Sequence, residues 1–113
     1  MSDDGRGFTV PSSEQFSKAM IVGTTAVCCF RSNPYRTNAE FLSVIGNTGK
    51  IYFDTKSSVS TSSECVISPN ERMKLEKFES VSVYKGEIWV ISDTASQTLK
   101  AQENIYRRRI PVY

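Results

Sequence analysis

Short runs of alternating apolar and polar residues, separated by Gly, Asn, Pro and Ser, dominate this sequence. In "RMKLEKF", for example, Met73 and Leu75 alternate with charged residues. Successive side chains of a β-strand point to opposite faces, so a period of two predicts half-buried strands, and no long segment shows helical spacing. About seven or eight such runs predict an all-β fold, a single antiparallel β-sandwich of the jelly-roll or Ig-like kind.

The first half of the chain contains three recognisable segments of this kind. "AMIVGTTAVCCF" predicts one strand or a bent pair of strands, with the bend at Gly23, because a glycine inside a strand usually marks a bulge or corner. "EFLSVIG" places Phe41, Ser43 and Ile45 on one face and Leu42 and Val44 on the other, which is typical of a strand that is covered on both sides or lies at the centre of a sheet. "NTG" at 47–49 is a tight turn, and "KIYFD" is predicted to return from it as the second strand of a hairpin.

Later segments continue the pattern. "SPNE" predicts a turn before the strand of Met73 and Leu75, and "SVSVYKGEIWVISD" predicts two strands, or one bulged strand, about Lys85–Gly86. "QTLKAQENIY" predicts a final strand. The alternative to strand is confined to "SEQFSKAM", where Phe16 and Met20 lie four residues apart as on one helical turn.

The length bounds the organisation of the chain. With 113 residues and 39% hydrophobic content, it suits one compact domain whose core needs no disulfide or metal to hold it. We expect a β-sandwich domain over 19–103, flanked by an extended N-terminal arm (1–18) and a C-terminal arm (104–113). The beginning, "MSDDGRGFTVPSSEQ", has two acids and no apolar run, so no secretory signal is expected, and no stretch is long enough to span a bilayer.

Residues that could perform catalysis are scarce. The chain has no histidine, which excludes the Ser-His-Asp and Cys-His centres and the commonest metal ligand. Asp54 and Asp93 each end a predicted strand, where Asp commonly bonds its own backbone in a turn. Trp89 lies between Ile88 and Val90 and is predicted to pack in the core and not to form a platform for sugar rings. We therefore expect no enzyme, no cofactor and no metal site.

The cysteines give no zinc-binding pattern. Cys28, Cys29 and Cys65 lack paired CxxC spacing, and neighbouring cysteines on a strand point to opposite faces, so a bridge between Cys28 and Cys29 is not expected. Reduced, partly buried thiols are the prediction, because a free cysteine behaves as a small hydrophobe.

From Ala26 to Glu103, the ordered motifs resemble those of small β-sandwich virion structural proteins of tailed bacteriophages, of the capsid-decoration, head-fibre or neck-tail-fitting type. The matching pieces are "NTG" at 47–49, "IY" at 51–52, "SPNE" at 68–71 and "IWVISDTAS" at 88–96. "SPNE" departs from the pattern, since a glycine is expected before its glutamate. The resemblance implies a virion-structural sandwich, without deciding between head, neck and tail.

The termini carry the predicted contact residues. "YRRRIPVY" joins three arginines to apolar residues that have nothing of their own to pack on. Three charges give modest, sequence-independent affinity for phosphates, so this segment favours a protein partner over nucleic acid. Tyr and Arg are also enriched at protein interfaces. The predicted interface residues are Phe8, Val10, Tyr35, Arg36, Tyr106, Arg107, Arg108, Arg109, Ile110, Val112 and Tyr113.

These observations together predict a non-enzymatic structural component of a tailed-phage virion, assembled in the bacterial cytoplasm. Its arms are expected to dock on neighbouring capsid, neck or tail subunits, in a homo-oligomer or another multi-copy assembly without a membrane. The alternative is a glycan-binding or host-surface-binding module of a tail or fibre, for which clustered, solvent-facing Tyr and Asp side chains in loops would be the distinguishing feature.

Overall fold

A computed structural model describes the backbone of residues 11–76 and 83–108 and the side chains of 15–75 and 83–105. Strands of three to twelve residues account for its regular structure. None of the described residues belongs to a helix long and apolar enough to cross a membrane. The strands, in chain order, are β1 (Pro11–Val22), β2 (Val27–Phe30), β3 (Arg36–Ser43), β4 (Ile51–Asp54), β5 (Cys65–Ile67), β6 (Arg72–Glu76), β7 (Ile88–Ser92) and β8 (Gln97–Arg108).

The strands form two antiparallel four-stranded sheets, which confirms the predicted sandwich. The first sheet has the order β1-β8-β3-β6 and the second the order β2-β7-β4-β5. Strands therefore pair in a nested way: β1 with β8, β2 with β7, β3 with β6 and β4 with β5. A long hairpin folded over on itself gives this pairing, which is the jelly-roll arrangement and not the Ig-like one.

The core lies between the inner faces of the two sheets. Phe41 of β3 is fully buried at its centre, with its ring centroid 5.9 Å from that of Phe30 and 5.0 Å from that of Phe53. The tilted rings combine area burial with a favourable aromatic geometry. Met73 and Leu75 pack against the core from β6 while Arg72 and Lys74 are exposed, which confirms the alternation predicted for that strand.

The prediction that "EFLSVIG" lies at the centre of a sheet is confirmed for its residues up to Ser43. β3 lies between β8 and β6, and both Phe41 and Ser43 are buried. Ile45, predicted on the same face, is 78% exposed because β3 ends at Ser43 and the chain turns away.

The prediction of a β-hairpin at "NTG" is wrong. β3 belongs to the first sheet and β4 to the second, so Asn47–Gly49 crosses between the sheets instead of joining paired strands. Side chains hold the crossing in place. The Asn47 side chain accepts a bond from Thr98 N (2.8 Å) and donates to Thr98 O (2.7 Å), while Gln97 Oε1 accepts bonds from the N–H groups of Thr48 and Gly49. A β-carbon at Gly49 would collide with Asp93 and Thr94.

Strand β1 includes the segment for which a helical turn was the alternative. Phe16 and Met20 lie on β1, opposite Glu103 and Leu99 of β8, so the segment is strand. The predicted boundaries at 18/19 and 103/104 fall inside β1 and β8, and pairing continues across both, up to Pro11 opposite Arg108. Pro11 and Arg108, to which segments 1–10 and 109–113 are attached, consequently lie opposite each other at one end of the β1–β8 pair.

Candidate interaction surface

Arg36, one of the predicted interface residues, lies in the interior of the protein. It is 1% exposed, and its Nε donates to Glu103 Oε2 at 2.6 Å. Nη1 donates to the carbonyls of Tyr84 and Gly86 (3.0 and 2.9 Å), and Nη2 to that of Arg31 (2.8 Å). The planar guanidinium provides donors in a fixed fork, so one side chain ties β3 and β8 to the segment before β7. Its role in the isolated chain is to hold the fold together.

Tyr35, the residue before Arg36, is exposed to solvent. It is 57% exposed, in a turn where its N–H donates to Asn33 Oδ1 at 2.9 Å. The exposed large apolar residues of the described part are spread over several faces and are Phe16, Ile21, Tyr35, Ile45, Val66 and Tyr84.

The remaining predicted interface residues belong to the ends of the chain. Tyr106, Arg107 and Arg108 lie in β8, opposite Ser13, Ser12 and Pro11 of β1, and only their backbone is described. The others fall outside the described residues: Phe8, Val10, Arg109, Ile110, Val112 and Tyr113.

The prediction that Trp89 packs in the core is wrong. Ile88 and Val90 are buried, so the alternation of β7 directs Trp89 to the outer face of the second sheet, where it is partly exposed. Its Nε1–H donates to Glu87 Oε1 at 3.1 Å. Asp54 of β4 lies directly opposite Trp89 in the register of the sheet. The outer face thus carries an indole beside two carboxyl groups.

The turn role predicted for Asp54 is confirmed, whereas the carboxylate of Asp93 binds a backbone N–H that is distant along the chain. Asp54 Oδ1 accepts a bond from Thr55 N at 2.6 Å, and Asp93 Oδ1 accepts bonds from Lys50 N (3.0 Å) and the Thr94 hydroxyl (2.9 Å). Within the described ranges, no group of three or more Cys, Asp and Glu side chains is placed to hold a metal ion.

All three thiols are free, and they differ in exposure. Cys29 is buried and Cys28 is partly buried, while Cys65 lies exposed on the edge strand β5, its Sγ 3.0 Å from Met73 Sδ. Burial raises the pKa of Cys29 to about 12. Burial also raises the pKa of Cys65, and burial together with the negative charge of Glu87 raises that of Cys28. Each thiol therefore keeps its proton at neutral pH.

Alkylation should reveal these environments. We expect iodoacetamide at pH 8 to modify Cys65 first and Cys29 only after unfolding, each more slowly than in the denatured chain, because the thiolate is the reactive form. Mass spectrometry of the labelled peptides would measure the order.

Cys29 loses its proton near pH 9.0 when unfolded and near 12 when folded, so its contribution to stability is complete below pH 9 and disappears as the pH rises towards 12. If Cys29 of the folded protein is labelled as fast as Cys65, both the predicted order of labelling and the raised pKa of Cys29 are contradicted.

Comparison with known proteins gives a likeness of fold. No family model matches the sequence, and no curated protein matches it. Among solved structures, a chain of the Bacillus endospore appendages, which form a family of disulfide-linked pili, superposes with a TM-score of 0.56. The two are 14% identical over 100% of this chain and 98% of the other. They share a fold.

Proposed function

We propose that this protein is a non-enzymatic structural subunit of a multi-copy assembly, and that its terminal segments dock on neighbouring subunits. The nested strand pairing carries this proposal. It joins segments 1–10 and 109–113 to the same end of the β1–β8 pair, next to each other, with Pro11 opposite Arg108. Two segments joined there can reach a neighbour together, so weak contacts reinforce each other through high effective concentration.

The structural neighbour supports an assembly role. The fold matches that of a pilus-forming protein over nearly the whole length of both chains. This match favours a subunit that assembles in many copies. The pili are disulfide-linked. Cys65 is the exposed thiol of this chain, so a disulfide between copies would form there, with an external oxidant such as dioxygen accepting the two electrons and two protons that the thiols lose.

Two locations for the assembly have separate support. The ordered motifs between Ala26 and Glu103 favour a tailed-phage virion, with capsid, neck or tail subunits as partners. The structural neighbour, which forms pili, favours a fibre, and the simplest such fibre contains this chain alone. A subunit of a homopolymeric fibre should assemble when it is the sole protein present, whereas a virion fitting should wait for a different virion protein.

Light scattering of the purified full-length chain would test the assembly role. We expect the mass to increase with protein concentration, and to fall to that of the monomer when residues 109–113 or 1–10 are removed. Neither deletion removes a residue of β1 or β8, and circular dichroism would confirm that the sheets remain. Electron microscopy of the associated sample would distinguish fibres from closed oligomers. A full-length chain that remains monomeric at every concentration and salt would contradict self-assembly.

A further inference from the structure

The outer face of the second sheet carries a group of aromatic, aliphatic and acidic side chains. Register places them in two adjacent rows, with Trp89 opposite Asp54 in one row, and Tyr52 between Ile91 and Val66 in the other. Each side chain is exposed or partly exposed, and Val66 is 39% exposed. We call this group the aromatic patch; its members are Tyr52, Asp54, Val66, Glu87, Trp89 and Ile91.

The first row combines negative charge with an aromatic ring. Glu87 accepts the indole N–H of Trp89, which leaves its second carboxylate oxygen available. Within the described residues, no lysine or arginine nitrogen lies within 4.0 Å of the carboxylate of Asp54 or Glu87. A guanidinium fits such a row, because it pairs with carboxylates and stacks on an indole.

The second row is apolar. Tyr52, Ile91 and Val66 are cross-strand neighbours, and residues two apart on a strand lie about 7 Å apart, so this row lies that far from the first. A partner segment that matches both rows needs positive charges followed within a few residues by apolar side chains.

The C-terminal segment of the chain has this composition. Arg107, Arg108 and Arg109 are followed by Ile110, Val112 and Tyr113. We propose that the aromatic patch of one copy binds residues 107–113 of a second copy, with arginines on the Trp89 row and the apolar residues on the Tyr52 row. This inference rests on the proposed assembly role and identifies its acceptor surface.

A second copy is a better source of this segment than the same chain. Five residues after Arg108 span at most about 17 Å. To reach its own patch, the segment would have to turn back past Ile105, cross the roughly 10 Å between the sheets and pass around the edge of the second sheet to its outer face. A neighbouring copy has no such constraint, and a contact between two different surfaces repeats from copy to copy and can build a chain of subunits.

Two full-length variants test the inference by complementation. The patch variant carries Glu87→Gln and Val66→Ser, and the arm variant carries Arg108→Ser, Arg109→Ser and Ile110→Ser. The matched control carries Glu71→Gln and Ile45→Ser, which remove one charge and one exposed apolar side chain away from the patch. We expect each test variant to need at least roughly tenfold more protein to associate, since each removes one side of the charge-assisted hydrogen bonds between arginine and carboxylate, and the control to differ by less than about twofold.

The mixture is the decisive sample. The arm variant keeps an intact patch and the patch variant an intact arm, so mixing them should restore one contact and give a heterodimer that grows no further. Sedimentation velocity would measure its mass. Emission from Trp89, the sole tryptophan, should shift on mixing and should not shift when either variant is concentrated alone.

Several results would overturn the inference. If the wild type associates and the patch variant does so equally well, the acceptor surface is wrong although the assembly role remains. If the mixture stays monomeric while the wild type associates, the contact does not join these two surfaces. If the wild type is always monomeric, the contact between copies is wrong, and an assembly role would then need a different partner protein. If a soluble hexose oligosaccharide shifts Trp89 emission and a peptide of residues 107–113 does not, the patch is a glycan site.

Discussion

Replacing Arg36 by alanine is expected to lower the free energy of unfolding by about 3–5 kcal/mol, because removing one partner of a buried ion pair leaves the other charge uncompensated. Glu103 would lose its 2.6 Å partner, and the carbonyls of Arg31, Tyr84 and Gly86 would lose their donor. Small domains are stable by about 5–15 kcal/mol, so the loss is a large fraction of the total. Urea denaturation followed by circular dichroism would measure it.

The chain provides its own control for this substitution. Arg72 pairs with Glu40 at 3.4 Å, but its side chain is 61% exposed. Exposed pairs contribute about 0–1 kcal/mol, so Arg72→Ala should change the free energy of unfolding by no more than that. Equal effects at the two arginines would mean that Arg36 does not hold the fold together. Since Arg36 also fixes the segment before β7, Arg36→Ala should shift the emission of Trp89 in the folded protein, whereas Arg72→Ala should not.

Period-two alternation was enough to predict the sandwich, because one face of every strand packs on the same core. Met73 and Leu75 illustrate this, since their burial follows from spacing alone. Alternation does not tell which strands pair. "NTG" followed by a strand has the local chemistry of a hairpin, and only long-range bonds to Gln97 and Thr98 make it a crossing between sheets.

The candidate surface was harder to predict for a related reason. Trp89 was expected inside because it is flanked by apolar residues, yet those neighbours are the buried ones and alternation places the indole outside. Arg36 was expected at an interface because arginine is enriched there. Its burial depends on Glu103, 67 residues away along the chain, together with three carbonyls from distant segments. No local pattern contains that information, although the outward direction of Trp89 follows from the strand period itself.

The second large effect is expected at Phe41. Phe41→Ala should lower the free energy of unfolding by about 3–5 kcal/mol, because it removes a fully buried ring and leaves a cavity between the two sheets. The rings of Phe30 and Phe53 would each lose an aromatic partner. Phe41→Leu should cost less, since it keeps most of the buried volume. Thermal and urea denaturation of both variants would measure the difference.

Ile45 is the informative control for Phe41, since the two residues share a face in the pattern "EFLSVIG" but not in the fold. Ile45 is 78% exposed beyond the end of β3, so Ile45→Ala should change the free energy of unfolding by no more than about 0.5 kcal/mol. A large cost at Ile45 would mean that another part of the chain covers it. If Ile45→Ala is neutral in the dilute monomer but alters the assembled state, this residue contacts a neighbouring subunit, and the control used for the aromatic patch would need an exposed residue elsewhere, such as Ile21.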